Sequence, residues 1–413
     1  TGSSAGFATL RLIGNPTRAV TERIGTLAAP TAPGIQGLVD VVTPDGVVTT
    51  LRIGNYTTSA GSVLFRGANV GSATGTAVQV FIDRLNGTAL TATTILPNTF
   101  VESATATGTV SGAALYDPAL GVRGPRPEDY TRGRFIQNPP GGTTPTDANF
   151  LVERWAVEAE RPPDVLTVGA ANTISALTFE PGTVADLGSG RLTVASGNVV
   201  TNAGAATAIT GGTLAAGGGS PTNKLAFGLN ANLTVGAVLE GTGGLSKVGP
   251  GTLTLTAANT FTGGITVTAG AFELTGPGAG LAVPNPTATP PVAANALTVA
   301  GAAFRATDVG TPFALGNVTV GANGTVSLVN SSATAGTLAF NTTAPTALTV
   351  DNGSLTTNTL SGGSSTAGSA NIPTVTLAGA NAVLRTGTTG TATSIFYGRI
   401  TGAGRLVKTG DTT

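Results

Sequence analysis

Residues 239–275 read LEGTGGLSKVGPGTLTLTAANTFTGGITVTAGAFELT. Chemically the stretch is sparse, with one lysine, two glutamates and otherwise Gly, Thr, Ala, Asn, Pro, Ser and apolar residues. Its periodicity is the informative part. Leu253 and Leu255, Ile265 and Val267, then Phe272 and Leu274 are spaced i, i+2, with Thr or Glu between them. Alternation at that spacing predicts short strands with one buried face. Asn259 and the pairs Gly243–Gly244 and Gly263–Gly264 separate the strands, and these residues tolerate positive φ. No segment between the strands is long enough for a crossover helix, so the stretch reads as one winding of a β-solenoid.

The opening phrase returns near the far end of the chain. ITGAGRLVKTG at 400–410 aligns without a gap on LEGTGGLSKVG at 239–249. Gly241, Gly243, Leu245, Lys247 and Gly249 recur as Gly402, Gly404, Leu406, Lys408 and Gly410. That separation is too long for one coil and suits a unit of several coils. The phrase resembles the passenger-associated transport repeat of bacterial autotransporter-type surface proteins, the autotransporter-associated β-strand repeat family. Its pattern is GxGGLxKxGxGxLxLxGxNxYxGGTxxxxGxL, and 241–272 follow it. The departures are Ala257 where Gly is usual, Phe261 for Tyr, Ile265 for Thr and Phe272 for Leu. The resemblance implies a right-handed parallel β-helix exposed outside the cell, on the bacterial outer surface, and no catalytic activity.

Composition agrees with a solenoid. Charged residues are 10% and aromatics 5%, yet the hydrophobic fraction is 40%, which separates this chain from disordered ones. The 61 glycines suit turns, while Val, Leu, Ile and Ala suit a narrow core. At roughly 20–25 residues per coil and about 4.8 Å between coils, one continuous rod would be about 80–100 Å long. The formal net charge is zero, and no basic patch alternates with aromatics, so nucleic acid is not an expected partner. No apolar run approaches a membrane span. The chain has no Cys, His or Met, which removes disulfides, thiolate metal sites and catalytic triads. Without Met, residue 1 is not a translation start, no export signal is visible, and GDTT stops where the repeat pattern would continue. Both ends are therefore expected to be cuts through a longer polypeptide.

Three regions follow along the chain. Residues 1–114 read as an N-terminal solenoid segment, with FATLRL, LVDVV and VVTTLRI as alternating strands. FRGANVG at 65–71, ILP at 95–97 and YDPALGVRGPRPEDY at 116–130 occur in that order. They resemble runs that precede the transport repeat in giant surface proteins of planctomycete and verrucomicrobial type. The inserted Gly124–Pro125 departs from the usual spacing. Residues 115–164 read as a charged, Pro-rich excursion lying against the rod, and they hold the only tryptophan, Trp155. Within it, 151–161 could be a short helix or an extended lateral strand. Residues 165–413 read as regular solenoid, with transport-type repeats starting near 239 and 400. A Pro-rich loop at 276–295 leaves the rod, because proline cannot donate to a ladder.

The residues weigh against an enzyme. Polysaccharide-cleaving β-helices need carboxylates converging on one groove, whereas the acids of 165–413 are isolated. Glu153, Glu158 and Glu160 alternate with Arg154 and Arg161 and read as a solvated, salt-bridged segment. Asp45–Gly46 and Asp351–Asn352–Gly353 read as turns, too poor in oxygens to assign as calcium sites. Lys247 and Lys408 read as repeat architecture, or as charges that guard a strand against sideways aggregation. No cofactor is expected. The expected role is structural: a stalk, fibre or surface layer of a giant repetitive protein, joined to itself head to tail or in tandem. The alternatives are an adhesin whose excursion recognises glycan or another cell's surface through Trp155, Tyr116 and Tyr130, and, third, a β-helix enzyme.

Overall fold

The computed structural model describes residues 8–31, 36–59, 61–72, 75–102, 112–126, 129–132, 135–136, 149–152, 165–168, 171–217, 224–282, 294–340, 344–363, 372–387 and 394–409; at 8, 131–132, 135–136, 149–152 and 165–168 only the backbone is described. Among them there is no α-helix. The chain is all-β, and from Thr131 onward it winds as a parallel β-solenoid.

Two long parallel sheets form the solenoid, one of 13 strands and one of 12, and a four-stranded sheet closes a third side over Ala171–Glu240. The chain visits the two long sheets in turn, and each strand pairs with the equivalent strand one coil on. Leu225 pairs with Leu245, Leu245 with Ile265 and Ile265 with Leu297. In the facing sheet Leu253, Phe272, Phe304, Val326, Leu348 and Val375 stack in register. These columns are the core: Leu253, Phe272 and Phe304 are fully buried, and the two phenyl rings lie 5.6 Å apart with planes 32° apart. In-register parallel pairing places like on like, so alternation along a strand becomes an apolar column along the axis.

Asparagine ties the turns to neighbouring coils. Asn259 does so in both directions. Its Oδ1 accepts from the Leu239 amide at 3.0 Å, and its Nδ2 donates to the Gly280 carbonyl at 3.0 Å. The buried side chain thus bridges backbone on both sides of its own coil.

The N-terminal part forms a second, smaller body. Ala8–Ile13, Gln36–Val42, Ser62–Gly67 and Thr94–Glu102 pair in parallel, and Gly112–Asp117 and Gly121–Arg123 complete that sheet as an antiparallel hairpin. Val20–Ala28, Val48–Thr57 and Ala77–Ile82 make the opposing parallel sheet. A separate core, including Val39, Ile53, Phe65, Val80 and Val101, lies between them.

One expectation is corrected by this arrangement. The chain is not a single continuous rod of 80–100 Å. Leu64, Phe100 and Ala113 of the N-terminal body pack on Ala176, Val200, Ala226 and Val248, which face outward from the 13-stranded sheet. The two bodies lie side by side, and 13 strands at about 4.8 Å make a solenoid of about 58 Å. Apolar outward positions such as Val200 and Val248 are what allow a second body to dock.

Truncating one member of the stacked aromatic column checks this core. Phe272→Ala should cost about 3–5 kcal/mol, read as a lower urea midpoint followed by far-UV circular dichroism.

Candidate functional site

The transport-type repeat is built around a lysine that points inward. Leu245–Val248 is wholly buried. Leu245 faces the core with Leu225 and Ile265, and two residues on, Lys247 faces the same way, between Phe227 and Val267 in register. It stands in a column whose other members include Val199, Phe227, Val267, Val299 and Val320. Of the two readings of the lysine, repeat architecture or a guard of a strand edge, this placement excludes a solvated guard. It is fully buried, and its Nζ donates to the carbonyls of Gly249 and, at 2.9 Å, Ala269.

The glycines that follow are closely packed on their neighbours. Gly249 has φ of +81°, and a Cβ there would run into the Leu229 backbone; one at Gly270 would run into the Lys247 amine. Burial pushes the Lys247 amine down to about 7. A neutral amine keeps two N–H donors, which matches the two carbonyls. Lys224 is likewise buried and pushed down to about 7 by burial, and its Nζ has no hydrogen-bond partner among the described residues.

The second copy keeps its second strand on the same sheet, but its first strand, Arg399–Gly402, lies in the 12-stranded sheet where Val238–Glu240 lies in the four-stranded one, and the two copies differ in cover. Gly241 and Gly402 both have positive φ, +138° and +108°. Leu406 pairs with Leu384 and Lys408 with Thr386, on the same sheet as Leu245 and Lys247. Leu245 is 1% exposed, because Ile265 stacks on it, whereas Leu406 is 51% exposed. Lys408 is exposed as well. Ile395 and Tyr397 nearby are 51% and 52% exposed. Gly243 and Gly404 sit in the turns before the two strands, and Gly410 lies outside the described residues.

The residues expected to contact a partner lie apart. Trp155 lies outside the described residues, as do Glu153, Glu158 and Glu160. Tyr116 is 5% exposed and packs in the N-terminal core, where burial and then the charge of Asp83 push its hydroxyl up. Tyr130 is half-buried, and burial raises its hydroxyl too. Between the tyrosines, buried Arg123 donates to Asp117 at 3.2 Å and to Asp129 at 2.9 Å. Burial disfavours ionised Asp129, yet the hydrogen bonds from Arg123 and the Arg126 amide outweigh it and hold the carboxyl below its usual range. The YD…R…D spacing is thus a clasp on the hairpin.

The seam between the two bodies is the largest feature the sequence reading missed. Asn198 Nδ2 donates to the Leu96 carbonyl at 3.2 Å, and the Asn98 amide donates to the Ser196 carbonyl at 3.2 Å. Thr268 Oγ1 donates to Gln36 Oε1 at 2.9 Å. A cleft of about 300 Å³ opens beside this last bond, walled by the N-terminal sheet on one side and by Val248, Gly249, Thr268 and Ala269 on the other. Among the described residues no cluster of acidic side chains could hold a metal ion.

Residues 245–274, which include the buried lysine and its two carbonyl partners, match the passenger-associated-transport-repeat family. The chain thus carries a stretch similar to passenger-associated transport repeats. A curated protein, the adhesin BmaC autotransporter of Brucella suis, is 34% identical to this chain over 109 residues. The match covers 26% of this chain and 2% of the adhesin, so the chain spans a small fraction of that relative's length. No solved structure matches.

The buried amines predict a pH dependence. Lys224 and Lys247 protonate near 10.5 when exposed and near 7 when folded, so between these values the unfolded chain holds more protons. Stability should rise as pH climbs from about 7 to about 10, by up to about 1.4 kcal/mol per pH unit for each lysine. Urea midpoints measured across that range should show a shallower rise in Lys247→Met.

Proposed function

We propose that the chain is a non-enzymatic segment of a surface-exposed passenger, a stiff solenoid stalk whose coils stack on further coils of the same kind. The supporting observation is the recurrence of the repeat phrase within one parallel register. Leu245 and Lys247 are enclosed by the strand Ile265–Val267, and Leu406 and Lys408 recur on the same sheet, where a further coil would cover them in the same way. Parallel coils of this kind stack on their own kind through backbone ladders. Joining of that kind is heterologous, head to tail, and extends without closing. The repeat family and the adhesin relative support an extracellular or cell-surface location.

The adhesin name of the curated relative supports a second reading, in which the passenger contacts a glycan or another cell. On that reading stalk and adhesin coexist, with the solenoid as the arm that carries a contact surface.

Electron microscopy with sedimentation velocity tests the stalk. The protein should join end to end, with filament length growing with concentration, and Leu406→Asp should return it to single short rods. Association that persists in Leu406→Asp, or rods that never join at any concentration, would overturn coil-on-coil joining at this end.

A further inference from the structure

The cleft at the seam is half made by the N-terminal body and half by the outer face of the passenger repeat. Its polar groups come from the outward side of the N-terminal sheet. There Arg11, Asp40, Arg66 and Glu102 occupy one register across four strands, so charge alternates along the row. Arg66 Nε donates to Glu102 Oε2 at 2.8 Å, and both residues line the cleft. The pair brings a guanidinium and a carboxylate with no net charge.

Gln36 supplies the observation that points to a ligand. It lines the cleft and is 5% exposed. Its Oε1 is engaged by Thr268, while its Nε2 has no hydrogen-bond partner among the described residues. A buried amide donor left unpaired is costly unless something in the cleft accepts from it. The floor is apolar, formed by Leu38, Leu64 and Val248.

We infer that this cleft is a binding site for one ring of a neutral saccharide. A pyranose presents hydroxyls that both donate and accept around its edge and C–H groups on its faces. The edge matches Gln36 Nε2, the Arg66 guanidinium and the Glu102 carboxylate, and a C–H face matches the leucine and valine floor. The internal neutrality of Arg66 with Glu102 selects against uronates and other charged sugars. The volume lies at the lower end of the about 300–1,000 Å³ over which small molecules are held, which suits one ring. The site is distinct from the 115–164 segment and from the strand Arg405–Lys408. It rests on the surface-passenger reading only for where such a sugar would be met.

The test is titration of the whole chain with methyl α- and β-pyranosides of glucose, galactose and mannose, followed by saturation-transfer NMR and calorimetry. At least one should bind saturably in the millimolar range. Gln36→Leu and Glu102→Gln should each weaken it roughly tenfold or more. Thr9 is exposed at the rim of the cleft, so Thr9→Trp blocks the mouth while leaving the core intact, and it should abolish binding without changing the thermal melt. No saturable binding by any of the six glycosides, or binding that Thr9→Trp leaves unchanged, would overturn the assignment. End-to-end joining is read separately by microscopy, so loss of the sugar site and loss of the stalk are distinguishable.

Discussion

Everything in the solenoid depends on the register of its parallel backbone ladders. Each strand hydrogen-bonds to the equivalent strand of the next coil, so an inward residue lies on an inward residue throughout. A slip of one residue would turn a whole strand inside out. That constraint explains why Phe272 meets Phe304 and why Leu245 is covered by Ile265. It also explains how a chain with 10% charged residues and few aromatics holds a continuous core. Small aliphatic side chains suffice when each is sandwiched between two of its own kind.

The same constraint makes Lys247 informative. A cation in an apolar column is expensive, and the repeat meets the cost with geometry: two carbonyls at a corner, glycines that clear the space, and a depressed basicity that leaves the amine able to be neutral. Gly270 in particular leaves the room in which the amine sits.

Much of this architecture was legible in the sequence, because alternation at i, i+2 and glycine-marked turns are local signals. Leu253, Leu255, Phe272 and Leu274 all lie in the core, as their spacing required. The inward lysine was legible too: Leu245 and Lys247 share a face by parity, and a general preference for solvated lysine hid it. The seam was not legible. Whether Val248 on the outer face meets water or the Leu64 surface depends on residues almost two hundred positions apart, and no local period encodes that pairing. The role of Arg123 between Asp117 and Asp129 was hidden similarly, since charge density alone does not separate a buried clasp from a solvated run.

The side-by-side docking of the two bodies has a consequence for how such a protein can change over generations. The N-terminal sheet ends in an antiparallel hairpin, Gly112–Asp117 with Gly121–Arg123, which breaks the parallel stacking at that side. The solenoid is modular, each strand pairing with the equivalent strand one coil on. Coils duplicated or lost beyond Val299 would alter its length by about 4.8 Å each. They would leave Gln36, Arg66, Glu102 and Val248 untouched. Solenoid length and the seam between the bodies are thereby placed on separate parts of one chain, free to drift independently.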